Sequence, residues 1–202
     1  MNAVKLVAIL RGIGPAEAAE HVETLVDAGF RYIEIPLNSP DWQQSIPQMV
    51  GRFAEQAVIG AGTVLNVEQV DFLAAAGAKL VVTPNTQPAV IRRAVAQGML
   101  VCAGCATATE AFNALDAGAQ WLKIFPSSAF GPDYIRALKA VLPPEVPVLA
   151  VGGVTPDNLA TWVQAGCAGA GLGSDLYRAG QPAARTREQA QRFIAAGRAL
   201  VA

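Results

Sequence analysis

AGFRYIEIP, Ala28 to Pro36, returns as AGAKLVVTP, Ala76 to Pro84, and as AGAQWLKIFP, Ala117 to Pro126. QGMLVCAG from Gln97 and AGCAGAGLG from Ala165 are weaker copies. Each copy follows an alanine-rich, helix-like stretch that stops at a glycine, and an apolar run of strand length begins two residues later. Glycine suits the left-handed position that closes a helix. A continuous apolar run suits a parallel strand covered on both faces.

The glycines are Gly29, Gly77, Gly98, Gly118 and Gly166, separated by 48, 21, 20 and 48 residues. A spacing near 20 is one strand and one helix. Each spacing of 48 therefore predicts a further strand, and AVIGAGT (Ala57 to Thr63) and PVLAVGG (Pro147 to Gly153) fill the two places. With the opening KLVAIL the strand count reaches eight. Helices are expected over Pro15–Ala28, Trp42–Phe53, Val67–Ala76, Pro88–Gln97, Ala108–Ala117, Pro132–Leu142, Pro156–Ala165 and Arg187–Val201. N-terminal prolines and polar caps such as Asn66 and Thr155 open several of them. Eight alternating units predict a (β/α)8 TIM barrel, one domain over residues 1–202. A doubly wound open sheet would carry G-x-G-x-x-G after the first strand, and LRGIGPAE matches that poorly.

The composition agrees: 52% of the residues are hydrophobic, 15% are charged and the formal net charge is -1. A large core is available, and no basic stripe invites nucleic acid. The apolar run Leu6 to Leu10 is too short for a signal-peptide core or a membrane span, so a cytoplasmic protein is expected. Cys102, Cys105 and Cys167 make an odd count, and Cys102-x-x-Cys105 has no second pair to complete four zinc ligands. Cys102 is expected in a strand and Cys105 just beyond its end. His21 is the only histidine, which rules out a multi-histidine metal site and disfavours a Ser-His-Asp triad. Its polar helical neighbours predict an exposed ring.

Alternation along the strands picks out the interior. Tyr32, Glu34 and Pro36 share one face, as do Trp121, Lys123 and Phe125, while Val7, Ile9 and Arg11 line up on a third strand. Ile59, Ala61 and Thr63 are expected to point inward together. The C-terminal ends of the strands, where barrel active sites sit, then receive Arg11, Glu34, Thr63 and Lys123. Lysine is rarely buried without a purpose; Lys5, Lys79 and Lys139 lie where their tips reach water. The plain alternative for Lys123 is an ion pair with Glu34 across the barrel, a pairing that seldom improves on an apolar core.

Aromatic and aliphatic neighbours lower the pKa of Lys123 by desolvating the ammonium. At a pKa near 10.4 only roughly 0.04% of a lysine is neutral at pH 7, and a downward shift of about three units makes a large fraction nucleophilic. A neutral amine adds to a ketone and yields an iminium, an electron sink for breaking a neighbouring C–C bond. Glu34 is the inward carboxylate available to move protons. Arg11 and Thr63 are expected to hold a substrate carboxylate. The glycine-rich loops VGGVTPDN and GLGSDL fall after strands seven and eight, the usual phosphate cradle of such barrels. Amides of Gly152, Gly153, Gly173 and Ser174 can approach an anion there. A phosphosugar isomerase using Glu34 alone, or a non-catalytic phosphosugar sensor, are the competing readings.

At these residues the chain resembles the class I 2-keto-3-deoxy-6-phospho-sugar-acid aldolases. The motifs are IEIPLNSP (33–40), IGAGTVL (59–65), VTPN (82–85), LKIFP (122–126), VGGVTP (151–156) and GLGSDL (171–176). The resemblance covers essentially the whole chain. It implies Lys123 as the Schiff-base lysine, Glu34 as the proton shuttle, and substrate contacts at Thr63, Gly152, Gly153, Gly173 and Ser174. It also implies a homotrimer that needs no metal or other cofactor and cleaves a phosphorylated keto-acid to pyruvate and glyceraldehyde 3-phosphate. Gluconate-type members carry arginine and threonine after the glutamate strand; here the chain reads Leu37-Asn38-Ser39, and Arg11 is the expected replacement. They also tend to have threonine where Val151 stands. Both departures resemble the galactonate-type members.

Overall fold

A computed structural model describes residues 3–201. The expected domain span therefore includes Met1, Asn2 and Ala202, which lie outside the described residues. The chain alternates β1 (Lys5–Ile9), α1 (Pro15–Ala28), β2 (Tyr32–Pro36), α2 (Trp42–Phe53), β3 (Val58–Gly62), α3 (Val67–Ala75), β4 (Leu80–Val82) and α4 (Pro88–Ala96). It continues through β5 (Leu100–Cys105), α5 (Ala108–Asp116), β6 (Trp121–Ile124), α6 (Ser127–Lys139), β7 (Val148–Val151), α7 (Leu159–Gln164), β8 (Gly169–Leu172) and α8 (Ala183–Ala199). All eight strands pair in parallel, and β8 closes on β1 with Lys5 opposite Gly169 and Ala8 opposite Leu172. The fold is the closed (β/α)8 barrel that the glycine spacing predicts. Among the described residues no helix is long and apolar enough to cross a membrane.

Two apolar layers follow from strand alternation. Ile33, Ile35, Val81, Val101, Leu122, Ile124, Val148 and Ala150 face the helices and join one large cluster with them. Val7, Leu80, Val82, Cys102, Trp121 and Leu149 form a second cluster inside the barrel. The Trp121 ring meets Tyr32 edge-on, with centroids 4.8 Å apart, and Lys5 Nζ lies 5.5 Å from its centroid. These groups fill the end of the barrel opposite the glycine-rich loops. The repeat glycines close their helices as expected: Gly29, for example, has φ 113° and donates its N–H to Leu25 and Val26 carbonyls.

Several inward positions carry no side chain, because there is no space for one. A Cβ on Gly60 would lie 1.9 Å from the Leu80 carbonyl oxygen, and one on Gly104 would lie 2.4 Å from Pro84 carbon. The barrel is narrow enough at these points that backbone takes the place of a side chain.

Five local expectations are corrected. Ile59 and Ala61 face the helices, not the interior; Val58 belongs to the interior cluster and shares its parity with Gly60 and Gly62. Cys105 ends β5 instead of following it, and is buried. The sixth helix begins at Ser127 and is broken at Gly131, whose φ is 78°, so a short turn precedes the predicted start at Pro132. The regular part of α7 begins only at Leu159, because Thr155 and Asn158 first cap each other in a turn: each side-chain oxygen accepts from the other residue's N–H. His21 is buried, with 2% of its surface exposed. Its Nδ1 lies 2.8 Å from Thr186 Oγ1 of α8, and its ring stands edge-on to Tyr177. Burial by α8 lowers its pKa below the usual histidine value. The helix that covers it lies some 165 positions along the chain, beyond the reach of any local pattern.

A pair of glycine substitutions tests the account of the interior. Gly51, inside α2, would place a Cβ in open space, so Gly51→Ala should stabilise the protein by about 0.5–1 kcal/mol. Gly60→Ala should cost about 3 kcal/mol or more through overpacking against Leu80. Urea midpoints of the two variants against the parent decide the matter, and similar midpoints would contradict it.

Candidate active site

Lys123 is the third residue of β6, with Gly104 of β5 on one side and Leu149 of β7 on the other. Glu34 is the third residue of β2, between Ile9 of β1 and Gly60 of β3. Each of these two side chains thus has a bare glycine as one strand neighbour. A second glycine makes room for the carboxylate: a Cβ on Gly62 would lie 2.1 Å from Glu34 Oε2. Lys123 is 5% exposed and Glu34 is 2% exposed. The ammonium nitrogen lies 4.7 Å from the Phe125 ring centroid, within reach of its π face.

The two groups form no direct ion pair. The salt bridges among the described residues, Arg52–Glu23, Arg93–Asp71, Arg136–Asp133, Arg185–Glu188 and Arg192–Asp157, are all on the surface. Glu34 Oε2 is buried without a hydrogen-bond partner. A carboxylate in that state favours its neutral form. Burial pushes the Glu34 pKa up to about 7, against the opposing pull of Lys123, Arg11 and the Gly62 amide. Burial likewise lowers the pKa of Lys123, with Glu34 and Cys102 opposing and Arg11 reinforcing. The Cys102 thiol, inside the same barrel, is pushed up to about 12 by burial and stays protonated at neutral pH. The interior therefore holds an amine and a carboxyl group that are both drawn toward neutrality.

Above them lies a small cavity of about 100 Å³, lined by Arg11, Phe125, Val151, Gly152, Gly153, Gly171, Gly173 and Ser174 among others. A larger cavity of about 450 Å³ lies at the opposite end, around Lys5, Arg31 and Tyr32, far from the buried lysine. The chemistry decides between them, since the small cavity joins Arg11 to both glycine-rich loops and is lined by Phe125, the ring against which the Lys123 amine packs. Gly152 and Gly153 both hold left-handed backbone, with φ 103° and 74°, and Asn158 Nδ2 donates to the Gly153 carbonyl at 2.9 Å. On the other side the Gly173 carbonyl accepts from the Leu176 and Tyr177 amides, each at 2.9 Å, which starts a helical turn at the loop tip. Val151 points inward with 6% of its surface exposed. A Cβ on Gly171 would lie 2.8 Å from a Val151 methyl, so the bare glycine accommodates the valine. Asp175 also lines the cavity, a charge that opposes an anion and that Arg11 offsets.

The structure thus gathers Arg11, Val151, Gly152, Gly153, Gly173 and Ser174 around one cavity, with Lys123 reaching it through Phe125 and the Arg11 charge felt by both Lys123 and Glu34. Thr63 stands apart. It lies past the end of β3, half-buried, with a left-handed φ of 54°. That conformation ends the alternation from which its inward direction was read. Arg11 is exposed at the barrel mouth and lines the cavity with the two glycine-rich loops, not with Thr63. Two contributors escaped the sequence reading. Gly62 clears space for the Glu34 carboxylate on the inward face; its signal is a glycine at an inward position. Ser39 is 5% exposed, and its Oγ accepts from Gly12 N–H at 2.9 Å, tethering the loop that carries Arg11.

Residues 1–191 match the family model for KDPG and KHG aldolase, and the chain belongs to that family of aldolases. It is 67% identical over 196 residues to the 2-dehydro-3-deoxy-6-phosphogalactonate aldolase of Escherichia coli (strain K12), covering 97% of this chain and 96% of that one. It is 32% identical over 151 residues to the 2-dehydro-3-deoxy-phosphogluconate aldolase of Zymomonas mobilis, covering 74% and 71% of the two chains. A solved structure described as native KDPGal superposes with a TM-score of 0.97 at 65% identity, covering 100% of this chain and 98% of that one.

The raised pKa of Glu34 makes stability depend on pH in a defined direction. Its folded value of about 7 exceeds the ordinary value of 4.5. Stability is therefore fully present below about 4.5 and is lost as pH rises toward and through 7, by up to about 3 kcal/mol. Urea unfolding from pH 4.5 to 8 should show that loss in the parent and a flatter profile in Glu34→Gln. Parallel profiles would contradict the raised pKa of the buried carboxyl group.

Proposed function

We propose that this member of the aldolase family cleaves 2-dehydro-3-deoxy-6-phospho-D-galactonate to pyruvate and D-glyceraldehyde 3-phosphate through a Schiff base on Lys123. The observation that carries the assignment of residues is the unpaired state of the two buried groups. A structural ion pair would consume both charges, whereas separated groups pushed toward neutrality supply an amine nucleophile and an acid–base partner.

Neutral Lys123 adds to the C2 ketone, giving a carbinolamine. Protonated Glu34 donates to the departing hydroxyl, water leaves, and an iminium links Nζ to C2. The carboxylate now formed on Glu34 takes the proton of the C4 hydroxyl. The C3–C4 bond breaks, its electron pair flows into the iminium to give an enamine, and the aldehyde departs. The enamine is then protonated at C3, and water attacks the iminium to release pyruvate and free the amine. A group with a pKa of about 7 is suited to both of Glu34's roles at neutral pH.

Gly152, Gly153, Gly173 and Ser174 cradle the phosphoryl group. Arg11, on the same cavity, neutralises that group, which revises its expected partner from the carboxylate. Thr63 remains assigned to the carboxylate. Val151 contributes methyl surface and no hydrogen bond, favouring an epimer whose C4 hydroxyl needs no partner there. The greater identity to the galactonate enzyme supports the same choice. We read the protein as a cytoplasmic homotrimer acting on small molecules alone; exposed Phe72 and Phe112, 38% and 40% accessible, supply apolar surface for subunit contact.

Three measurements test the reading. Borohydride with pyruvate should fix a pyruvate-derived mass on Lys123, and an isomerase working through Glu34 alone would show none. Lys123→Ala should abolish cleavage, and Glu34→Gln should still bind ligand while losing turnover by about 100-fold or more. Cleavage rates on the two C4-epimeric substrates, side by side, should favour the galactonate; a strong gluconate preference would overturn the roles of Asn38 and Val151.

A further inference from the structure

A side chain joins the last rung of the ladder between β6 and β7. Leu122 N–H donates to the Pro147 carbonyl at 3.0 Å, and Leu122, Lys123 and Ile124 stand opposite Val148, Leu149 and Ala150. Parallel pairing in that register would send its last rung from Val151 N–H to the Ile124 carbonyl. The Ser127 hydroxyl bridges the two groups of that rung. It donates to the Ile124 carbonyl at 2.8 Å and accepts from Val151 N–H at 3.0 Å. Ser127 is wholly buried.

One end of this bridge is the residue after Lys123, and the other is the residue before Gly152. The same segment also supports the glycine turn. A Cβ on Gly152 would lie 3.4 Å from Pro126 Cβ and 3.5 Å from Ser127 N, and one on Gly153 would lie 2.9 Å from Ser128 Cβ.

We infer that Ser127 is a positioning residue whose hydroxyl fixes the Gly152–Gly153 turn at a set offset from Lys123, so that phosphorylated substrate spans both. The inference rests on the phosphate and Schiff-base roles proposed above. β6 has other restraints: its strand is paired on both sides, and Phe125 N–H donates to the Cys105 carbonyl at 3.3 Å. The turn has two left-handed glycines, and the hydroxyl is a side-chain partner of its leading amide. Without the hydroxyl, Val151 N–H and the Ile124 carbonyl lose the bridge between them and settle at a different separation. That change moves the turn relative to Lys123, while the pyruvate half of the site, at the lysine itself, is spared.

The test is condensation of saturating pyruvate with D-glyceraldehyde 3-phosphate and with unphosphorylated D-glyceraldehyde. Ser127→Ala should lose about tenfold or more in kcat/KM for the phosphorylated aldehyde and less than about twofold for the other. Borohydride trapping of pyruvate on Lys123 should keep its wild-type rate. Ser127→Cys, which retains a weaker donor and acceptor, should fall between, and it carries the comparison if the alanine variant does not fold. An equal loss on both aldehydes, or no loss, overturns the inference. Failure of the wild-type protein to trap pyruvate would instead remove the functional reading beneath it.

Discussion

Desolvation of one amine and one carboxyl group inside a closed barrel is the constraint on which the site depends. Either group alone would be costly as a charge, and a tight pair would neutralise both at the expense of reactivity. The chain takes neither course. Glu34 keeps a buried oxygen without a partner, and Lys123 rests against an aromatic face instead of a carboxylate. The free energy lost there is recovered in the layer of aliphatic side chains between strands and helices, which is far larger than the interior cluster.

The glycines of the inward face follow from the same constraint. At Gly60, Gly104 and Gly169 a side chain would strike backbone of the neighbouring strand or loop, so glycine there serves closure. At Gly62 the obstruction would be the Glu34 carboxylate itself, and at Gly171 a methyl of Val151. The two sets look alike in sequence yet differ in purpose. One lets a narrow barrel close, and the other lets functional side chains occupy its mouth.

The architecture was legible because parallel barrels write it twice, in the glycine that ends each helix and in the apolar run that follows. Spacing alone located the two strands hidden in the intervals of 48 residues. Alternation placed Glu34 and Lys123 correctly, since each lies in the middle of a regular strand. It failed for Ile59 and Ala61, and it does not reach as far as Thr63. The inward face of that strand is built around Gly60 and Gly62, which carry no apolar signal, and Thr63 follows a left-handed break. His21 escaped because its cover, α8, is distant in sequence. The missing ion pair escaped because alternation gives a direction across the barrel and not a distance.

The position of Arg11 ties these observations together. Its guanidinium lies at the mouth, where water screens it, yet its charge acts on both buried groups: it lowers the pKa of Glu34 and of Lys123. The first effect opposes desolvation of the carboxyl group, and the second reinforces desolvation of the amine. Placing that cation beside the two glycine-rich loops thus sets one solvent-facing charge against both buried groups, pulling the carboxyl group toward its charged form and the amine toward its neutral one.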